Sequence, residues 1–157
     1  MQTANLQTVY LLLGSNLGNR EEILNQAITA IQENVGVIIS QSKYYETPAW
    51  GKTDQPDFLN IALEIATNLM PLVVLEKTQA IEQQLGRVRI EKWGARLIDI
   101  DIIFYGQEII NISEHLNIPH PLMQERLFVL EPIAEIAPDF IHPVLKKSVS
   151  ELLEEIS

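Results

Sequence analysis

The chain has no cysteine, which removes disulfides and thiolate metal sites and makes a cytoplasmic location the expectation. No run of about 18 apolar residues is present, so no membrane-spanning helix is expected. Met1 to Thr8 lacks the basic and apolar parts of a signal peptide. Cations are scarce: 11 Lys and Arg stand against 21 Asp and Glu, a net charge of −10. Such a body repels phosphate polymers and anionic lipid, which argues against nucleic-acid and membrane partners. Aromatic residues make up only 6%, too few to suggest the stacking face of an RNA-binding sheet. The glycine loop Gly14-Ser15-Asn16-Leu17-Gly18 lacks the Gly-Lys-Ser/Thr ending of a P-loop, which excludes that class of NTPase.

What remains is 157 residues with 46% hydrophobic content, enough for one domain, 1–157, with a full core. Its few cations are not spread evenly. Four of them (Arg87, Arg89, Lys92 and Arg96) fall within ten positions, interleaved with Trp93 and Gly94. Directly after comes the strand-like run Leu97 to Phe104, which carries Asp99 and Asp101. A strand alternates faces, so both aspartates point one way while Ile98, Ile100 and Ile102 point the other. Their Cβ atoms then lie roughly 6.5–7 Å apart, from a rise of about 3.3 Å per residue. Two carboxylates at that spacing suit Mg²⁺, which takes oxygen ligands and keeps substrate phosphates as others. Asp-x-Asp alone is a weak signal, since it also describes the polar face of a half-buried strand. Cations for phosphate beside carboxylates for a metal is the logic of a nucleotide site.

In chain order, Val9 to Leu13 predicts a buried strand ended by the glycine turn, and Asn19 with Glu22 predicts an N-cap with a box-like partner. Helical spacing of apolar residues follows from Arg20 to Asn34. Val37 to Tyr45 predicts a second strand, then a long loop with two prolines, then a strand from Phe58 to Thr67. Pro71 and Gly86 frame a second helix, with Gln79 and Glu82 on a shared flank. After the aspartate strand come a short strand, Glu108 to Ile112, a His120 held between prolines, a helical patch with Arg126 and Phe128, and a closing helix, Ser148 to Ile156. Strand, helix, strand, strand, helix, strand is the ferredoxin-like α+β order: an antiparallel sheet with helices packed, on this reading, on one face. That fold names no function by itself.

Gly14-Ser15-Asn16, Thr47-Pro48, Asp57-Phe58-Leu59-Asn60, Gly86-Arg87, Trp93-Gly94-Ala95-Arg96, Asp99-Ile100-Asp101 and Pro119-His120-Pro121 together resemble the 6-hydroxymethyl-7,8-dihydropterin pyrophosphokinases of folate biosynthesis. The resemblance runs through nearly the whole chain in order. It implies transfer of a pyrophosphoryl group from ATP to the pterin's hydroxymethyl oxygen, with release of AMP. It also implies two Mg²⁺ ions on Asp99 and Asp101, one bridging the α- and β-phosphates and the other the β- and γ-phosphates and the attacking hydroxyl. Arg87, Arg89, Lys92 and Arg96 would clamp the triphosphate, under a lid formed by the Arg87–Trp93 loop. Gln79, Glu82, Trp93, Ile102, His120 and Arg126 would line the ATP side. The pterin would stack between Phe58 and Phe128, read by Asn60 and by the backbone of Thr47, Pro48, Ala49 and Trp50, beside Asp99. A monomer is expected.

Two residues depart from many relatives. Lys92 replaces an arginine and loses its planar fork, and Phe58 replaces a tyrosine and keeps only the stacking ring. Two other classes compete with the enzyme: a non-catalytic ligand-binding module on the same fold, and an RNA-binding domain of similar topology. The first needs neither Asp-x-Asp nor a phosphate cluster. The second needs a basic, aromatic sheet face.

Overall fold

The computed structural model describes residues 6–16, 18–47, 57–86, 98–113 and 116–157. Strand β1 (Gln7–Ser15) leads into α1 (Arg20–Asn34), β2 (Val37–Gln41), β3 (Tyr45–Thr47) and β4 (Phe58–Thr67). Helix α2 (Pro71–Leu85), β5 (Asp99–Tyr105) and a small hairpin, β6 (Ile110–Ser113) and β7 (Leu116–Ile118), follow. A 3₁₀ turn at Met123–Glu125 precedes α3 (Leu127–Ile136) and α4 (Val149–Ile156). The main sheet has the order β2-β4-β1-β5, every pairing antiparallel, with β3 on the same edge of β4 as β2. That is the ferredoxin-like arrangement expected from the element order.

Helices cover both faces of the sheet, not one. Val9, Leu11 and Leu13 pack against Leu24, Ala27 and Ile31 of α1 and Val74 and Ile81 of α2. Tyr10 and Leu12, on the opposite face, join Val129, Leu130 and Ile133 of α3 and Val149 and Leu152 of α4. The physical reason is visible in β1 itself: an unbroken apolar run has no polar side to leave in water, so both faces need cover. A bulge in β5, where the register slips beside Tyr10 and Leu11, lets Ile103 and Phe104 both enter the second core.

Other boundaries moved for local reasons. Val37 to Tyr45 is two strands because Ser42 interrupts the ladder: its hydroxyl accepts the Ala62 N–H at 2.9 Å and donates to the Lys43 carbonyl at 2.7 Å. The strand expected at Glu108–Ile112 begins at Ile110, since the Glu108 N–H turns back to the Tyr105 carbonyl. Asn19 caps α1 by accepting from Glu22 N–H at 3.2 Å, while the reciprocal capping box occurs at Ser148 and Glu151. Strand β1 runs through Gly14 to Ser15 instead of stopping at Leu13.

Candidate active site

The sheet register lines up polar residues of β4 and β5 across Gly14 of β1. Gly14 of β1 pairs with Asn60 of β4 on one side and with Asp99 of β5 on the other. One step along, Leu12 pairs with Ala62 and with Asp101. Alternation then brings Phe58, Asn60, Gly14, Leu12, Asp99 and Asp101 to the same face, beyond the end of the α3–α4 core. There they line a cavity of about 170 Å³, with Thr47 from β3 and Arg126 and Phe128 from the start of α3 closing it. The Arg126 guanidinium sits 5.7 Å from the centre of the Phe128 ring, within cation–π range.

A second, larger cleft of about 340 Å³ opens along the outer edge of β5. Leu75, Gln79 and Glu82 of α2 form one wall, Leu116 to Ile118 of β7 with His120 and Pro121 the other. Residues 99–102 of β5 form its base, so Asp99 and Asp101 border both spaces. Because β5 ends the sheet, its outward amides need partners, and the Glu82 carboxylate accepts the Ile100 N–H at 2.6 Å. Glu82 therefore ties α2 to the residue between the two aspartates.

His120 is held from two directions. Its backbone N–H donates to the Ile103 carbonyl, and its Nδ1 accepts the Leu122 N–H at 3.4 Å. Burial first, then the positive charge of Arg126, push its pKa below the ordinary 6.5. A neutral imidazole with Nδ1 accepting carries its proton on Nε2, which makes that edge a donor.

Among the described residues no group of three or more His, Asp or Glu side chains is placed to hold a metal. The described donors at the junction of the cavities are two carboxylates, Asp99 and Asp101. Such a pair fits Mg²⁺, which fills its shell with water and phosphate oxygens. Arg87, Arg89, Lys92, Trp93 and Arg96, with Pro48, Ala49 and Trp50, lie outside the described residues. Of the remaining expected site residues, Gln79, Glu82, Ile102 and His120 share the larger cleft, and Thr47, Phe58, Asn60 and Phe128 share the smaller cavity. Arg126, expected beside the nucleotide, lines the smaller cavity while its charge reaches His120.

Sequence reasoning did not name Leu12 and Gly14 in the cavity, nor Leu75, Ile100, Leu116, Ile118 and Pro121 in the cleft. A glycine inside a strand often marks close approach of another group, and that was the available signal at Gly14. Leu116 and Ile118 of the hairpin offered none, because their place beside β5 depends on pairing distant in sequence.

The family model for 7,8-dihydro-6-hydroxymethylpterin-pyrophosphokinase (HPPK) matches residues 10–138. A 2-amino-4-hydroxy-6-hydroxymethyldihydropteridine pyrophosphokinase of Bacillus subtilis is 48% identical over 128 residues, covering 81% of this chain and 76% of the relative. The enzyme of that name from Haemophilus influenzae is 40% identical over 151 residues, covering 96% of this chain and 93% of its own. The fold is shared with a Plasmodium falciparum HPPK-DHPS crystal structure at a TM-score of 0.78 and 18% identity, over 99% of this chain. The match spans 45% of that longer chain. Family match, relatives and the shared aspartate junction lead to one assignment: the chain belongs to the 7,8-dihydro-6-hydroxymethylpterin-pyrophosphokinase family.

Proposed function

We propose that the two spaces are the substrate sites of one reaction, with the pterin in the smaller cavity and ATP in the larger cleft. The protein is a pyrophosphokinase: it transfers the pyrophosphoryl group of ATP to the hydroxymethyl oxygen of 6-hydroxymethyl-7,8-dihydropterin, in folate biosynthesis. The hydroxyl oxygen forms a bond to the β-phosphorus, the bond from that phosphorus to the α-phosphate oxygen breaks, AMP departs and the hydroxyl proton is released. The observation that carries this reading is that Asp99 and Asp101 border both spaces. On this reading the reacting hydroxyl and the β-phosphate meet beside these two carboxylates.

Phe58 and Phe128 clamp the flat heterocycle, which fixes the direction of the hydroxymethyl group. Asn60 reads the ring edge by hydrogen bonds. His120 donates from Nε2 toward the nucleotide, and Gln79 lines the wall opposite it. Arg87, Arg89, Lys92 and Arg96 neutralise the triphosphate, and the segment bearing them excludes water. Asp99 and Asp101 would hold two Mg²⁺ ions, which when bound would supply charge neutralisation on the phosphates and lower the pKa of the attacking hydroxyl. A single domain covering 1–157, monomeric and cytoplasmic, completes the reading; among the described residues no helix is long and apolar enough to cross a membrane.

The test is AMP formation by purified protein with ATP, Mg²⁺ and the pterin. AMP that requires all three is expected. ADP in its place keeps the nucleotide cleft but overturns the reaction, and tight binding without turnover leaves only a ligand-binding module.

A further inference from the structure

Arg20 is the first residue of α1, where a positive charge opposes the helix dipole, so helix stability does not account for it. Its partners do. One nitrogen, Nη1, donates both to the Glu46 carboxylate at 2.9 Å and to the Asp57 carbonyl at 2.9 Å. Glu46 belongs to β3, and Asp57 immediately precedes β4. Each stands one position before a residue that lines the smaller cavity, Thr47 and Phe58. Glu46 pairs with Leu59, which faces the α1 core, while Thr47 and Phe58 face the cavity. Arg20 therefore grips the two strand ends from behind the cavity without lining it.

The helix it reaches from is well anchored. Asn19 caps α1, and Leu24, Ala27 and Ile31 are buried in the core beneath the sheet. The strand it holds is short: three register pairs join β3 to β4, and the last of them, Thr47 with Phe58, is at the cavity. Pairing that brief frays at its end unless another contact holds it.

We propose that Arg20 is a positioning residue for pterin binding. By holding Glu46 and Asp57 together behind the sheet, it fixes the Thr47–Phe58 end of the β3–β4 pair and with it the plane of the Phe58 ring. This rests on the pterin reading of the cavity. Ring stacking is favourable only over a narrow range of geometry, so a Phe58 backbone free to shift gives up contact with a flat ligand. The side chains of the ion pair are 29% and 54% exposed, and pairs so placed add little to stability. The effect belongs to ligand affinity more than to melting.

The experiment compares kcat, the KM for pterin and for ATP, and the melting temperature of wild type, Arg20→Met, Arg20→Lys, Phe58→Ala and the double variant Arg20→Met with Phe58→Ala. Arg20→Met keeps the aliphatic stem and removes both bonds. It should raise pterin KM about tenfold, the scale of one hydrogen bond from a charged group. Its kcat and ATP KM should stay within about twofold of wild type. Arg20→Lys keeps the charge but not the guanidinium, and should recover part of the loss. In the Phe58→Ala background Arg20→Met should add less than about threefold, because the ring through which it acts is gone. A full tenfold addition there would overturn the inference. So would an unchanged pterin KM in Arg20→Met, or equal rises in both KM values with a lowered melting temperature, which would make Arg20 a mere support of the fold. Should Arg20→Met fail to fold, Glu46→Ala decides: a rise of about threefold in pterin KM alone supports the inference, and no rise overturns it. A wild type that forms no AMP with the pterin sinks the pyrophosphokinase reading itself, and this inference with it.

Discussion

The two spaces that meet at Asp99 and Asp101 are built on opposite principles. The smaller is walled by the sheet face and the start of α3, where shape and hydrogen-bond order are set by strand register. The larger runs along the sheet's free edge, between α2 and the β6–β7 hairpin. On the proposed reading, the face supplies rings and an amide for a small flat molecule, and the edge supplies a polar wall for a molecule bound mainly through phosphate. The comparison teaches that one edge strand can border two spaces, because the side chains of β5 border the face while its backbone borders the edge.

The shared residues test that division most severely. Asp101→Asn or Asp99→Asn should cut AMP formation at least about 1,000-fold, since both substrates lose the charge that joins them. Thermal melting should show the fold intact; activity within tenfold of wild type would break the idea of a junction. Next in size, Phe58→Ala or Phe128→Ala should weaken pterin binding by about 1–3 kcal/mol, the range for stacking a flat base on an aromatic ring. ATP affinity, measured by calorimetry, should hardly move. Equal losses for both ligands would show that face and edge are not separate sites.

Glu82→Ala removes the carboxylate that accepts the Ile100 N–H and should cost about 1–2 kcal/mol of stability in denaturant unfolding. Glu82→Gln keeps an acceptor and should recover part of it. No difference between the two would show that the β5 edge does not depend on this bond. The smallest effect concerns pH. His120 and His142 both have pKa values pushed below 6.5, His142 by burial and His120 by burial and Arg126. The unfolded chain therefore binds more protons than the native one below that pH, and stability falls as pH drops from 6.5 through the folded values. His142 Nδ1 accepts from the Val144 and Leu145 N–H groups at 3.1 Å, a role an asparagine oxygen can copy without titrating. The melting temperature of His142→Asn should thus fall less between pH 7 and pH 5 than that of wild type. A parallel fall in both proteins would remove His142 from the account.

Helix limits were largely legible because caps and breakers act locally: Arg20–Asn34 follows Asn19, and Pro71–Leu85 ends before Gly86. The faces of β4, and of β5 from Asp99 to Ile102, were legible too, since alternation holds in a strand up to a bulge. The break at Ser42 was not, because a serine hydroxyl that replaces a ladder bond does so only where Ala62 stands opposite. Helix α3 passes through Pro132, which the sequence alone marks as a breaker; there the buried Pro132 is held among the packed residues of the second core.

The sequence by itself determined the strand–helix order, the face on which Asp99 and Asp101 stand and, through motifs spread along the chain, the family. Those depend on neighbours in the chain or on residue identity. Only the tertiary structure decided that helices cover both faces, that Gly14 stands between Asn60 and Asp99, and that two spaces share the aspartates. These depend on the register between strands tens of residues apart, and register is chosen by the packing of the whole sheet, not by any one strand.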